Sequence, residues 1–516
     1  MKRELYERFF NYDRLDAILD EYLNADLNAN CYWFNNSWHT RSDLKILADE
    51  FTDFLKSAGF EKGQRLVALM PNSPMTIAMI IATWRLGGAF CPLNEKAGKL
   101  SLLKTLNLLK PFAVIVSQAV KQELVDALRE ADWPVVICAD ENIEVQQDFK
   151  GKLQEPESEE LAVIFSTSGT TGDPKAVPLT HKNLIDNCLA CLENIYQLEP
   201  TDIFLNVLPN FHAFGFTVSI ILPLMCSASL CIVPGFMPPS NTLNAIIASK
   251  ANLLLLVPTM AVFLTGLLER SNKKLEHVKL LILGGDKYNS KLDERIKKSF
   301  GVGVLEGYGI TECSPVLSVN HDEATKKLGT VGPALTRFEL QLRDESGNIL
   351  EKTFDNEGVL WTRGPSVTAG YYHAPEINKE RFDNGWFNTG DYVKIDSDGY
   401  IKILDRVTDI IIVGGFNVYP QEVEATLAEH PAVQTSVVIG TPNSMSGEVP
   451  KAFIIKNKDA EVSESELIKF CKERLSHYKV PRAVEFVESL PLSSTGKILR
   501  RVLREQERGK AKKERN

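Results

Sequence analysis

Short apolar runs recur between helix-like segments over most of this chain, and that alternation limits its fold more than any other feature. Arg65 to Met70 and Ala89 to Leu93 flank the helix-like Pro74 to Leu86. Phe112 to Val116, Val135 to Ala139 and Leu161 to Ser166 continue the series, followed by Leu253 to Val257, Lys279 to Leu283 and Gly303 to Glu306. The pattern predicts an α/β fold built on mostly parallel sheets. After Thr330 the character changes: Phe338 to Arg343, Gly358 to Thr362 and Tyr400 to Ile403 are short strands between Gly/Asp turns, as in a β-rich subdomain. From Asp405 a small α+β pattern begins, with strands Ile410 to Val413, Gln434 to Gly440 and Lys451 to Lys456, and helices Pro420 to His430 and Ser463 to Leu475. With 516 residues, the chain exceeds one simple core. The expected division is a large multi-subdomain N-terminal body, residues 1–404, and a small C-terminal domain, residues 405–516.

A net charge of −9 lacks the basic footprint of a nucleic-acid binder, and only the tail from Arg508 to Arg515 is densely basic, as a solvated terminus would be. Nine cysteines without framework spacing, and a charged MKRELYERFF start with no apolar run, fit a cytoplasmic protein. Cys188 and Cys191 form a C-x-x-C on a helix-like stretch with no second pair, and read as buried thiols rather than zinc ligands. From Ile203 to Ser249 there is no charged residue. Pro223 interrupts this stretch, Ser227 to Ser229 look like a turn and Leu230 to Val233 like a strand, so no helix here approaches the roughly 20 residues needed to span a bilayer. The stretch reads as buried core, which still leaves room for peripheral membrane contact.

Chemistry concentrates in Phe165-Ser-Thr-Ser-Gly-Thr-Thr-Gly-Asp-Pro-Lys-Ala-Val177. Following a strand, it sets the hydroxyls of Thr167, Ser168, Thr170 and Thr171 beside Gly169, Gly172 and Lys175. Glycines admit phosphate oxygens to the backbone, hydroxyls donate to them, and the lysine adds a point charge. The lysine spacing is not that of G-x-x-x-x-G-K-[ST]. A polar turn is the plainer alternative.

Six further segments follow in order: Leu208-Pro-Asn-Phe-His212, Gly307-Tyr-Gly-Ile-Thr-Glu312, Thr389-Gly-Asp391, Asp405-Arg-Val-Thr-Asp409, Gly414-Gly-Phe-Asn-Val-Tyr-Pro420 and Pro491-Leu-Ser-Ser-Thr-Gly-Lys497. Together the set resembles the signatures of the adenylate-forming superfamily, which includes acyl-CoA synthetases, luciferases and peptide-synthetase adenylation domains. The resemblance runs from about residue 40 to 505. Gly414 to Pro420, Tyr478-Lys-Val-Pro481 and Gly496-Lys-Ile-Leu-Arg-Arg501 are most similar to bacterial medium- and long-chain fatty acid–CoA ligases.

This resemblance implies ATP, Mg²⁺ and CoA, and roles for individual residues. Thr167 to Gly172 and Lys175 would hold phosphates, and Gly284 and Gly285 would lie along the nucleotide. Gly307 and Gly309 flank Tyr308, whose ring would lie against adenine. Thr311 and Glu312 offer oxygen ligands, with Glu312 and Thr167 at the metal. Asp391 would accept from ribose hydroxyls, with Arg406 completing the grip. Lys497 would bridge carboxylate and α-phosphate, stabilising two anions brought together. The C-terminal domain would be mobile, rotating about a hinge near 405–409, and Gly415 would leave room for the pantetheine arm. The chain departs from the pattern at three places. Ala176 replaces a glycine after the loop lysine, Asp405 replaces a glycine common before the arginine, and Thr408 stands at a hinge position that is more often Asp or Lys.

Amino-acid-activating relatives carry an Asp just after the His212 region, and Phe211-His-Ala-Phe-Gly-Phe216 has none. A buried unpaired ammonium is costly, so the expected substrate is a fatty acid, at about 0.8 kcal/mol per buried methylene. His212 reads either as a gate to that pocket or as a core histidine, and the resemblance favours the gate. CoA is the expected acceptor, with acyl carrier protein as the alternative and a non-catalytic acyl-AMP-binding protein as the reading from another class. His181-Lys-Asn-Leu-Ile-Asp186 matches the H-x-x-x-x-D of acyltransferases, but Thr180 looks like a helix N-cap, and positions five apart on a helix point differently.

Overall fold

The computed structural model describes residues 7–141, 149–168, 174–195, 197–286, 290–344, 346–443, 446–458, 460–492 and 498–513. They form two compact units, Met1–Glu339 with Thr362–Phe387, and Leu340–Trp361 with Asn388–Asn516.

The first unit holds two sheets, and the predicted apolar runs are their strands. One has the order Val135–Cys138, Ala113–Ser117, Arg65–Leu69, Ala89–Pro92, Leu161–Ser168, Pro174–Thr180. All its pairings are parallel except the last, a hairpin. The other has the order Val316–Val319, Val304–Gly309, Leu280–Leu283, Leu253–Leu256, Ile203–Asn206, Ser229–Ile232, Asn30–Phe34, Ser37–Thr40, parallel apart from its two edge strands. Continuous apolarity is what two-sided burial requires, and all four leucines of Leu253–Leu256 are buried, each contributing about 2 kcal/mol. The helix Pro74–Arg85 is buried along its whole length to Trp84. Its first turn is set by proline and by Ser73, whose side chain accepts the Thr76 N–H.

The uncharged stretch is core, as expected, but Pro223 does not break it. Phe214–Ile221 is a π-helix that runs directly into the α-helix Leu222–Met225, with Pro223 in the latter's first turn. The change of hydrogen-bond register there accommodates a residue with no N–H to donate. No helix among the described residues is long and apolar enough to cross a membrane. Cys188 and Cys191 are buried thiols, and burial pushes Cys191 up to about 12. Thr180 does cap the helix His181–Asn194, its side chain accepting the Asn183 N–H. His181 Nδ1 accepts the Leu15 N–H at 3.2 Å, whereas Asp186 pairs with Arg337 at 2.9 Å. The two side chains of the acyltransferase-like motif are thus engaged in different places.

Mostly within the second unit, Ile401–Arg406 pairs antiparallel with Trp386–Ile395 in a β-rich sheet that also contains Glu339–Arg343 and Asn356–Arg363. The division expected at 405 falls inside the strand Ile401–Arg406, and compactness places Asn388 to Leu404 with the C-terminal residues. A second sheet has the order Phe416–Val418, Ile411–Val413, Gly447–Lys456, Val433–Asn443, with Ala483–Phe486 on Gly447–Lys456. Period-two alternation splits it cleanly. Val438, Ala452 and Ile454 bury against Val423 and Leu427 of the helix Pro420–Ala428, while Val437, Ile439 and Phe453 bury with Leu503 of the helix Arg500–Lys513.

Candidate functional site

In the hairpin Leu161–Ser168/Pro174–Thr180, register places Thr167 opposite Lys175 and Ser168 opposite Pro174, with Thr167 Oγ1 donating to the Lys175 carbonyl at 3.4 Å. Gly169, Thr170, Thr171 and Gly172 lie outside the described residues, as does Lys497. Ala176 has no left-handed φ and its carbonyl accepts the Tyr372 N–H at 2.9 Å, so ordinary strand geometry admits alanine where the family has glycine.

Thr311 and Glu312 sit in a 3₁₀ turn that packs on the strand Pro174–Thr180. The Tyr371 hydroxyl donates to Glu312 Oε1 at 2.6 Å, and Lys175 Nζ lies 5.6 Å from the centre of the same ring. Thr368 braces the turn, its N–H donating to the Glu312 carbonyl at 2.8 Å and its hydroxyl to the Pro178 carbonyl at 2.7 Å. Burial pushes the Tyr371 phenol well above its ordinary range, with the Glu312 charge adding to the shift. The phenol therefore stays protonated and is the donor. Among the described residues no group of three His, Cys, Asp or Glu is placed to hold a metal. A single carboxylate beside hydroxyls does not suit zinc, but it suits Mg²⁺, which takes few protein ligands and keeps substrate phosphate oxygens and water.

Gly284 and Gly285 follow Leu280–Leu283, and Gly307, Tyr308 and Gly309 close Val304–Gly309, so all five stand at the carboxyl ends of neighbouring parallel strands, where open α/β sheets bind ligands. A Cβ on Gly284 would meet the Phe214 ring at 3.0 Å and the Gly307 carbonyl oxygen at 3.6 Å. On Gly309 it would meet the Pro315 carbonyl oxygen at 2.2 Å, a backbone approach only glycine permits. Half-buried His212 precedes Phe214, its N–H donating to the Pro209 carbonyl at 3.1 Å and its ring 4.8 Å from that of Phe211. Phe216 packs with Phe165 at 5.3 Å and Trp84 at 6.1 Å, tying this aromatic wall to the hairpin strand. Farther along the face that carries Ile282 and Gly284, a small cavity is lined by Phe204, Leu222, Leu255 and Ile282 among other apolar side chains.

In the second unit, register pairs Asp391 with Arg406, and Arg406 Nε lies 2.7 Å from Asp391 Oδ1. Asp391 is 2 % exposed and the Arg406 side chain 49 %, so a buried acceptor stands beside a solvent-facing cation. Asp405 is fully buried. It accepts the Arg406 N–H at 2.9 Å and the Gln421 N–H at 3.2 Å, next to the Arg500 guanidinium. Burial outweighs these and pushes its carboxyl up to about 6. Thr408 lies in a turn closed by the Asp409 N–H to the Arg406 carbonyl at 2.9 Å, and Asp409 pairs with Arg504 at 2.5 Å. Gly414 and Gly415, with φ of 58° and 87°, join two antiparallel strands as a two-residue turn that needs positive φ twice. No protein atom lies within 4 Å of a Cβ built on Gly415, and its φ of 87° by itself favours glycine.

Residues 20–372 match the family of AMP-binding enzymes and residues 422–497 the AMP-binding enzyme C-terminal domain. The chain belongs to the AMP-binding enzymes. A long-chain-fatty-acid–CoA ligase of Bacillus subtilis is 31% identical over 91% of this chain and 90% of its own length. One from Yersinia pestis is 36% identical over 67% of this chain, which spans 62% of that relative. An anthranilate CoA ligase in complex with anthranoyl-AMP superposes with a TM-score of 0.86 at 27% identity, over 96% of this chain and 97% of that one. The o-succinylbenzoate coenzyme A synthetase of Bacillus subtilis, in complex with ATP and magnesium, does so at 0.81 and 27%, over 95% and 99%. For this AMP-binding enzyme, sequence reasoning overlooked Tyr371, Thr368 and Arg381. They carry no motif chemistry of their own, and only the fold brings Tyr371 and Thr368 to Glu312, and Arg381 to Tyr371.

Proposed function

We propose that this protein is an ATP-dependent fatty acid–CoA ligase. The substrate carboxylate attacks the α-phosphorus and the bond to pyrophosphate breaks, giving acyl-AMP. The CoA thiol then attacks the acyl carbon, the bond to AMP breaks, and the thiol proton passes to solvent. The observation that carries the reading is the meeting of Lys175 and Glu312 on Tyr371 at the base of the phosphate-loop hairpin.

In this reading Lys175 and the loop hydroxyls hold phosphate, Tyr308 stands against adenine, and Asp391 with Arg406 holds the ribose. Glu312, Thr311 and Thr167 would hold Mg²⁺, which supplies charge neutralisation at the phosphates when bound. Lys497 bridges the two anions during adenylation. The domain 405–516 then rotates about 405–409 and admits the thiol past Gly415. The fatty acid is supported by the uncharged aromatic wall at Phe211 to Phe216 and by the names of the fatty-acid-activating relatives. Peripheral contact with a lipid surface belongs to the same reading, because the substrate partitions there. Acyl carrier protein is the competing acceptor, since it presents the same pantetheine thiol.

The test is pyrophosphate release with a panel of fatty, aromatic and amino acids, followed by addition of CoA or acyl carrier protein. Release that depends on fatty acid, thioester formation with CoA, and loss of both in Lys497→Ala are expected. Release independent of acid, or unchanged by that substitution, would refute the reading.

A further inference from the structure

Tyr371 is fixed more firmly than core packing alone requires. Its N–H donates to Asn378 Oδ1 at 2.7 Å and its carbonyl accepts from Asn378 Nδ2 at 3.0 Å. Its ring packs beside the Phe382–Phe387 pair, whose ring centres are 5.0 Å apart and each 6.5 Å from its own. The phenol is also engaged on both sides. It donates to Glu312 Oε1 at 2.6 Å and is hydrogen-bonded by the Arg381 guanidinium, which stands over the Phe387 ring at 5.2 Å. A guanidinium only donates and a carboxylate only accepts, so the direction is settled: Arg381 donates to the Tyr371 oxygen, and Tyr371 donates to Glu312.

We propose that Tyr371, supported by Arg381, is a positioning residue that orients the Glu312 carboxylate toward Mg²⁺·ATP. The proposal rests on the reading of Glu312 as a metal ligand. With Oε1 committed to the phenol, the carboxylate no longer rotates freely, and its other oxygen is the one offered to the metal. A donor polarised by Arg381 makes a stronger hydrogen bond to an anion than an isolated phenol. The same ring meets Lys175 on its face, so cation and carboxylate are each held by the tyrosine rather than by one another. Each keeps its charge available for phosphate or for metal. The Thr368 braces described above hold the turn's backbone against the hairpin, which leaves side-chain direction as the variable that Tyr371 controls.

The decisive measurement is ATP binding to the full-length protein by calorimetry, once with Mg²⁺ and once with EDTA. Tyr371→Phe keeps the ring and its packing and removes only the hydroxyl. It should weaken ATP binding about tenfold in Mg²⁺, as expected for a lost hydrogen bond to a charged group. Binding in EDTA should be unchanged, and the Mg²⁺ concentration for half-maximal adenylation should rise while the KM for fatty acid stays constant. Arg381→Gln, which leaves Tyr371 in place, should give a smaller shift in the same direction and serves if the first variant folds poorly. A purely structural role would lower binding equally with and without metal, and that result overturns the proposal. Glu312→Gln separates the two levels of the claim. If it abolishes the Mg²⁺ effect while Tyr371→Phe leaves it intact, the positioning role falls alone. If Glu312→Gln leaves the Mg²⁺ effect intact, the metal reading falls, and the positioning role with it.

Discussion

Replacing Asp405 with asparagine should change the stability of the second unit in a way that depends on pH with a defined sign. The carboxyl is fully buried and its pKa stands at about 6, against an ordinary value of 3.8. Between these values the folded state holds a proton that the unfolded state has released. The wild-type contribution is therefore fully present below about pH 4 and is lost as pH rises through 6. The gap of roughly two units corresponds to about 3 kcal/mol, since each unit is about 1.4 kcal/mol. Asparagine does not titrate and carries no such loss. It has one acceptor oxygen for the two N–H donors of Arg406 and Gln421, so a constant penalty of about 1–3 kcal/mol accompanies the change. The slope is the prediction, not the offset. Hydrogen exchange of the core amides at Val437 to Ile439 reads the local stability of this unit, and comparing variants at the same pH cancels intrinsic exchange rates. From pH 4 to pH 7 the protection of Asp405→Asn should rise relative to wild type by about two orders of magnitude. A constant ratio would show that burial does not govern Asp405. A ratio moving the opposite way would show that Arg500 and the two N–H donors hold it ionised.

Gly309→Ala would drive a methyl group into the Pro315 carbonyl, 2.2 Å away, and should destabilise the protein by about 2 kcal/mol while disturbing the Thr311–Glu312 turn. A thermal midpoint and an ATP affinity both equal to wild type would contradict this. His181, 1 % exposed with its pKa lowered to about 3 chiefly by burial, is neutral when folded, so its contribution is present above pH 6.5 and falls as the unfolded state takes up a proton. Relative to His181→Gln, the wild type should lose roughly 3 kcal/mol between pH 7 and pH 4 in denaturant titrations. Asp391→Asn removes the charge facing Arg406 at 2.7 Å and should weaken ATP binding at least about tenfold, with the thermal midpoint nearly unchanged. Equal ATP affinity would remove Asp391 from the ribose grip.

The legible parts of the sequence were those whose cause is local. A strand covered on both faces must be apolar at every position, so Leu253–Leu256 and Leu280–Leu283 were recognisable from the residues alone. A helix start needs an acceptor for its free N–H groups, so Thr180 announced the helix His181–Asn194. The motifs were legible mainly as a set, since their order along the chain resembles the adenylate-forming family, whereas Asp391 and Arg406 taken alone read as turn residues. Pro223 was misleading because the rule that proline breaks helices assumes α register, and a π-helix precedes it here.

The contacts that turn these residues into a site come from long range. Glu312 meets Tyr371 across 59 residues of chain, and Asp405 meets Arg500 across a still longer interval. No periodicity encodes such pairs, because each depends on where separate strands end and how they pair. Gly415 shows the division of labour at a single residue. The sequence by itself determined that glycine stands there, and only the folded turn decided that its backbone takes positive φ, which favours glycine. For the protein as a whole, local side-chain chemistry determined the strands and the caps, and the resemblance of its ordered motifs to a family pointed to the class of reaction. Tertiary structure decided which partner holds each charged group, because the direction of a buried carboxylate depends on donors that only the packed chain brings within reach.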